Sequence, residues 1–157
     1  MTTKDAFTEE EWTRVVRAPL VAGLAISLAD PGGPIEAAKE SMATLKSSTN
    51  PPSREQLLAE VALEIQAMAQ LHTNPLKDFK PRTDPGEEVL AELAAVQGIV
   101  AAKATPEEAS AFGQWMVSSA QAAADAAKDG GFLGFGGEQV SAREQAMIDR
   151  VRTTVGG

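Results

Sequence analysis

The feature that most constrains this chain is a recurring start signal for helices. "FTEEEW" places Thr8 where its hydroxyl can cap a helix, with Glu11 three residues on, where a carboxylate reaches back. Phe7 and Trp12 flank the pair at the spacing of a hydrophobic staple. The same grammar returns as Ser53 with Gln56, Asp84 with Pro85 and Glu87, Thr105 with Pro106 and Glu108, and Ser141 with Glu144. Pro34, tolerated in a first helical turn, opens one more helix that runs to about Lys46. These side chains satisfy the orphan N–H groups of a first turn, so a chain that repeats them is built for helices.

Apolar residues follow each start at a helical period. The first run carries Val15, Val16, Leu20, Leu24 and Leu28, with Pro19 inside it, which predicts a kink or break near Ala18. "ADPGGP" then stops that helix. The third run uses Leu57, Leu58, Val61, Leu63, Ile65, Met68 and Leu71. The fourth uses Val89, Leu90, Leu93, Val96 and Val100, the fifth Phe112, Trp115, Met116, Ala120 and Ala123, and the sixth Met147, Ile148 and Val151. Period-two alternation of β-branched residues is never sustained, so no strand is expected. The expected fold is all-α: a compact bundle of about six helices forming a single domain over residues 1–157. Residues 1–6 read as a flexible N-terminus, 47–53 and 73–84 as linkers, and 129–140 as a Gly-rich loop.

Aromatics are only 4% and tyrosine is absent, so Ala, Leu, Val, Ile and Met must fill the core. The net charge of −8 argues against nucleic acid, which needs clustered Lys and Arg, and against an anionic membrane surface. Without cysteine there is no disulfide, thiolate zinc site or cysteine nucleophile. The longest apolar run, Ala18 to Ala29, is interrupted and short of the ~20 residues of a membrane span, so none is expected. "MTTKDAFTEEEW" has no apolar stretch of the signal-peptide kind, and a cytoplasmic location is the expectation.

Glu9, Glu10, Glu11, Glu87, Glu88, Glu107 and Glu108 fall in first helical turns, where they complement the helix dipole. Other acids form a paired pattern. "LAISLADPGGPIEAAKE" and "AAADAAKDGGFLGFGGEQVSAREQ" each run helix, Asp, glycines, a β-branched residue, then a helix with an early Glu. The pattern resembles the helix–"ADG"–"[IV]SxxE"–helix units of the tellurite-resistance TerB-like family, with Val140-Ser141-Ala142-Arg143-Glu144 matching "VSxxE". The first unit sets Ile35 five residues before Glu40, and the second carries an eight-residue insertion. The resemblance implies an all-α fold and a divalent-cation site with Asp30, Glu40, Asp129 and Glu144 as oxygen ligands, suited to Ca²⁺ or Mg²⁺. An EF-hand is excluded, because Asp30 is followed by Pro-Gly-Gly and not by alternating oxygen ligands. The ending "GGFLGFGG…VSxxE" is similar to that of small bacterial helical proteins.

"DGGFLGFGGEQVSAREQ" remains to be read. It lacks the "GK[ST]" of a Walker loop and the preceding strand of a dinucleotide fingerprint, and Asp129 and Glu138 would repel a phosphate. Two readings stay open. Phe132, Leu133 and Phe135 either fold back as a plug on the bundle or form an exposed tip that docks a partner. His72 stands at a helix end, where it can meet the last carbonyls. Ser27, Ser118 and Ser119 lack a His/Asp constellation and read as packing residues, while Lys77, Lys80 and Arg82 read as a solvated loop. No catalytic constellation emerges. The expectation is a small bacterial protein that acts by binding an unidentified protein partner through Phe132, Leu133 and Phe135, with homo-oligomerisation open and no cofactor unless the cation site is real.

Overall fold

The computed structural model describes residues 2–30, 34–129 and 140–156, with side chains over 2–30, 35–126 and 140–156. Its six α-helices are α1 (Glu9–Ala29), α2 (Pro34–Ser48), α3 (Gln56–Gln70), α4 (Pro85–Lys103), α5 (Pro106–Asp129) and α6 (Ala142–Gly156), and no strand occurs among the described residues. A single 3-10 turn, Lys4–Ala6, precedes them. The all-α bundle expected from the capping pattern is the architecture found.

Three capping boxes close as hydrogen bonds. Glu11 N–H donates to the Thr8 hydroxyl at 3.1 Å, and Thr8 N–H donates back to Glu11 at 2.9 Å. Thr105 with Glu108 and Ser141 with Glu144 do the same at α5 and α6. The staple forms too, with the Phe7 and Trp12 rings 5.7 Å apart. The pair expected at α3 does not close. Ser53 Oγ is buried without a partner among the described residues, and Gln56 turns to Glu60. Leu57 N–H is taken instead by Glu108, from 51 residues away. At α4 the backbone N–H groups of Arg82 and Asp84 donate to Glu88, one residue beyond the expected Glu87.

α1 is the central helix, packed against each of the other five. Small residues on it (Ala18, Ala22, Gly23, Ala25) allow close approach, and all four are buried. Pro19 does not divide it. The helix continues for 21 residues with Pro19 buried, because packing on several sides outweighs one missing N–H bond. α1 is also long and apolar enough to cross a membrane by length and composition, contrary to the shorter run read from the sequence, and 61% of its apolar window is buried inside the protein. That is how the core helix of a bundle behaves.

The other side chains behind the core are Phe112, Trp115, Leu57, Leu58, Ile65, Leu93 and Ile148, all essentially inaccessible. Trp115 donates its indole N–H to the Ser47 carbonyl at 2.9 Å, so its one polar group is satisfied. Leu63 and Leu71, read as part of the α3 stripe, are 63% and 75% exposed. The stripe is narrower than seven apolar residues because α3 packs mainly on α1 and α5. The start of the chain, expected to be flexible, has Thr2 buried and bonded to Glu108. In the 73–84 linker, Leu76 and Phe79 pack on the core, and the Arg17 guanidinium lies 5.2 Å from the Phe79 ring centre. Lys77, Lys80 and Arg82 are exposed, as a solvated loop requires.

α2 is mounted inside out. Its buried positions are Glu40, Thr44 and Ser48, while Ile35 and Met42 are 73% and 72% exposed. A polar stripe can face inward here because its hydroxyls bond their own helix. Thr44 donates to the Glu40 carbonyl and Ser48 to the Thr44 carbonyl, both at 2.7 Å. Their carbon atoms are then free to pack, and Ser47 adds a hydroxyl contact to Ser119 of α5 at 3.1 Å.

Candidate functional site

The inverted mounting of α2 builds a hollow beside α1. Leu20, Gly23, Leu24 and Ser27 share one face of α1, at helical spacings of three and four. Glu40, Ser41, Thr44 and Leu45 face them from α2. Ala69 at the end of α3 and the turn through Thr73, Asn74, Pro75 and Leu76 close the third side. The space measures about 330 Å³, at the small end of the roughly 300–1,000 Å³ typical of ligand sites.

Two local devices hold this geometry. Gly23 is the contact point of α1 with α2: a methyl group there would overlap the Thr44 side chain. The third wall depends on how α3 stops. Thr73 N–H reaches back to the Met68 carbonyl at 2.8 Å, and His72 takes a left-handed backbone with φ 55°. This is the helix ending usually built on glycine. His72 therefore serves the helix end through its main chain. Asn74 then accepts Leu76 N–H at 2.9 Å, which folds the turn over the hollow.

Glu40 is the only charged side chain lining the hollow among the described residues. It is 2% exposed, and the Ser27 hydroxyl donates to its Oε2. Burial pushes its carboxyl above the usual carboxylate range. The Ser27 bond opposes this, but Glu144, Glu36 and Asp30 each add to the rise by their negative charge. The hollow thus has a negative end, at Ser27 and Glu40, and an apolar end, at Leu20, Leu45 and Leu76.

The four nominated oxygen ligands fare differently. Glu40 and Glu144 are both buried, and Glu144 and Asp30 act on Glu40 electrostatically. Glu144, however, spends one oxygen on Ser141 N–H in the α6 capping box. Asp30 is the residue at which α1 ends. No three acidic or histidine side chains come together as cation ligands would among the described residues. The Asp129 side chain, and with it Phe132, Leu133 and Phe135, lies outside the described residues. Ser27 and Ser119, read only as packing residues, each make a side-chain hydrogen bond, to Glu40 and Ser47.

Two further charged clusters escaped the sequence reading. Glu92 of α4 receives Arg14 at 2.8 and 3.2 Å and Arg17 at 3.0 Å, tying α1 to α4. Burial raises its carboxyl, and the two guanidinium groups more than reverse that. Glu108 is 2% exposed and accepts from Thr2, Leu57 and Thr105 at 2.5–3.2 Å. Burial pushes its carboxyl up, but these donors bring it down to about 2. The only local signal for Glu108 was its place in a capping box. Both carboxylates accept from several donors that tie separate elements together, whereas the Glu40 side chain accepts from Ser27 alone among the described residues.

Comparison with protein-family models, with curated proteins and with solved structures returns no match.

Proposed function

We propose that the protein acts by binding, and that the hollow between α1, α2 and the 73–76 turn is its binding seat. The observation that carries this reading is a buried carboxylate, with the Ser27 hydroxyl as its one side-chain partner among the described residues, in a hollow whose lining surface is mainly apolar. Apolar walls with a few placed polar groups are what small-ligand sites share. A screen of small-molecule mixtures by ligand-observed NMR tests it, with Ser41→Trp as the filled-hollow control; Ser41 is exposed and lines the space. Ligands that bind the wild-type protein and are lost in Ser41→Trp support the reading. Ligands indifferent to that substitution, or none at all, contradict it.

Contact with a protein partner, or with a second copy, is the second part of the reading. The exposed Ile35 and Met42 on α2 support it, since neighbouring exposed apolar side chains favour contact. Phe132, Leu133 and Phe135 are proposed as a further contact point on sequence grounds alone. Ile35→Ser with Met42→Ser should leave the fold intact and abolish any concentration-dependent association seen by sedimentation; unchanged association would remove α2 from the account.

A divalent-cation module of the TerB-like kind is the alternative, supported by the negative field that Asp30, Glu36 and Glu144 add at Glu40. It requires Tm to rise with Ca²⁺ or Mg²⁺ and to fall with chelator. A transition that neither moves would eliminate it. We place the protein in the cytoplasm of a bacterium, in keeping with its composition.

A further inference from the structure

We propose that the hollow takes an amphiphilic organic cation: a protonated amine or quaternary ammonium head against Glu40, with an alkyl or aryl body along Leu20, Leu24, Leu45 and Leu76. The inference rests on reading the hollow as a binding seat and adds the chemistry of its occupant.

The argument is one of charge and shape together. Glu40 lines the space and is 2% exposed, and among the described residues no Lys, Arg or His lines it with Glu40. Among the described residues the only hydrogen-bond partner of its side chain is the Ser27 hydroxyl, which donates to one of the two oxygens. Asp30 at the end of α1, Glu36 on α2 and Glu144 on α6 deepen the negative field at this end. An anion is repelled there, and a neutral ligand leaves the field unanswered. A bare Ca²⁺ or Mg²⁺ ion wants about six or more oxygen ligands, and the described residues bring no three such acidic groups together. An ammonium group needs far fewer, and it carries the hydrocarbon that the remaining walls can cover.

Ammonium binding favours the ionised form of Glu40. Affinity therefore falls as pH is lowered through the titration of this carboxyl, with Asp30, Glu36 and Glu144 as the neighbouring groups that share the field.

The test compares three six-carbon probes on the full chain: hexylammonium, hexan-1-ol and hexanoate, with CaCl₂ and MgCl₂ as separate arms. Binding is read from backbone amide shifts, so the site is located as well as the affinity. Hexylammonium should move amides around Ser27, Glu40 and Leu76 and bind about tenfold or more tightly than hexan-1-ol, the scale of one hydrogen bond to a charged group. Hexanoate should bind weakest. Glu40→Gln should erase the preference and keep the hexan-1-ol response, and Ser41→Trp should lose both. If hexan-1-ol or hexanoate matches hexylammonium at the same amides, the cation proposal is overturned while the hollow stands as a binding seat. If none of the probes moves those amides, both fall. If Ca²⁺ or Mg²⁺ moves them and hexylammonium does not, the site is a metal site and the proposal is overturned. The probe comparison on wild-type protein needs no variant to fold.

Discussion

Glu108 and Glu40 expose the same 2% of their surface, one in the first turn of α5 and the other midway along α2, yet their carboxyls are driven in opposite directions. Around Glu108 the chain has assembled donors from three places: the N-terminal segment, the start of α3 and its own cap. Around Glu40 it has assembled one hydroxyl and three further negative charges. Burial is common to both. What differs is whether the lone pairs have been answered, and the answer separates a carboxylate that builds the fold from one that is left available.

The largest effect should come from Glu108→Gln. An amide offers one acceptor and turns its own N–H₂ toward the N–H groups of Thr2 and Leu57, leaving buried donors unmatched. Lowering a carboxyl from 4.5 to about 2 corresponds to about 3 kcal/mol of stability. The folded value is depressed, so this contribution is complete above pH 4.5 and is lost as pH falls from there through about 2. Denaturant unfolding of Glu108→Gln at pH 7 should show a loss of about 3 kcal/mol, with a flatter acid limb than wild type. A loss within about 0.5 kcal/mol, the range of ordinary surface changes, would make Glu108 no more structural than Glu40.

Gly23→Ala should follow. The added methyl overlaps Thr44, a short branched side chain that is back-bonded to its own helix and cannot swing clear. Overpacking of this kind costs about 1–3 kcal/mol, and α2 must move off α1, which distorts the hollow. Thermal unfolding and loss of any hollow ligand should go together. Full stability would mean that the α1–α2 contact is looser than described.

The difference between the two carboxylates also shows what sequence can convey. Capping is a matter of residues three apart, so Thr8 with Glu11, Thr105 with Glu108 and Ser141 with Glu144 were legible, and the helix inventory with them. The other partners of Glu108, Thr2 and Leu57, lie 106 and 51 residues away, and nothing local announces them. The same limit hid the missing cap of α3, which Glu108 supplies in place of Ser53. Of the kink or break that Pro19 announces, the break does not occur, because packing around α1 outweighs a local rule that is real. α2 was unreadable in a further way. Its apolar residues mark a helix face, but that face is the outer one, and the inner face is polar because Thr44 and Ser48 bond their own carbonyls. Of the nominated ligands, Glu40 is the one that lines the hollow, and the hollow itself depends on tertiary contacts.

A smaller effect, with the opposite sign, is expected at Glu40. Its folded value is raised, so the ionised carboxyl weakens the fold at neutral pH, and the native state gains relative stability as pH falls through that raised value toward 4.5. Glu40→Gln should therefore unfold at higher denaturant than wild type at pH 7, with the advantage shrinking at pH 4. Destabilisation at pH 7 would erase the contrast with Glu108.

The smallest effect belongs to the third wall of the hollow. His72 holds φ 55°, where glycine is at ease. His72→Gly should be neutral to stabilising by up to about 1 kcal/mol, measured by thermal unfolding. A clear loss would show that the His72 side chain does more than end α3.

Following both carboxyl carbons through a single pH titration by NMR tests the central contrast most directly. The account predicts that Glu108 titrates near 2 and Glu40 above 4.5. A Glu40 value at or below 4.5, or two carboxyls titrating together, would contradict it.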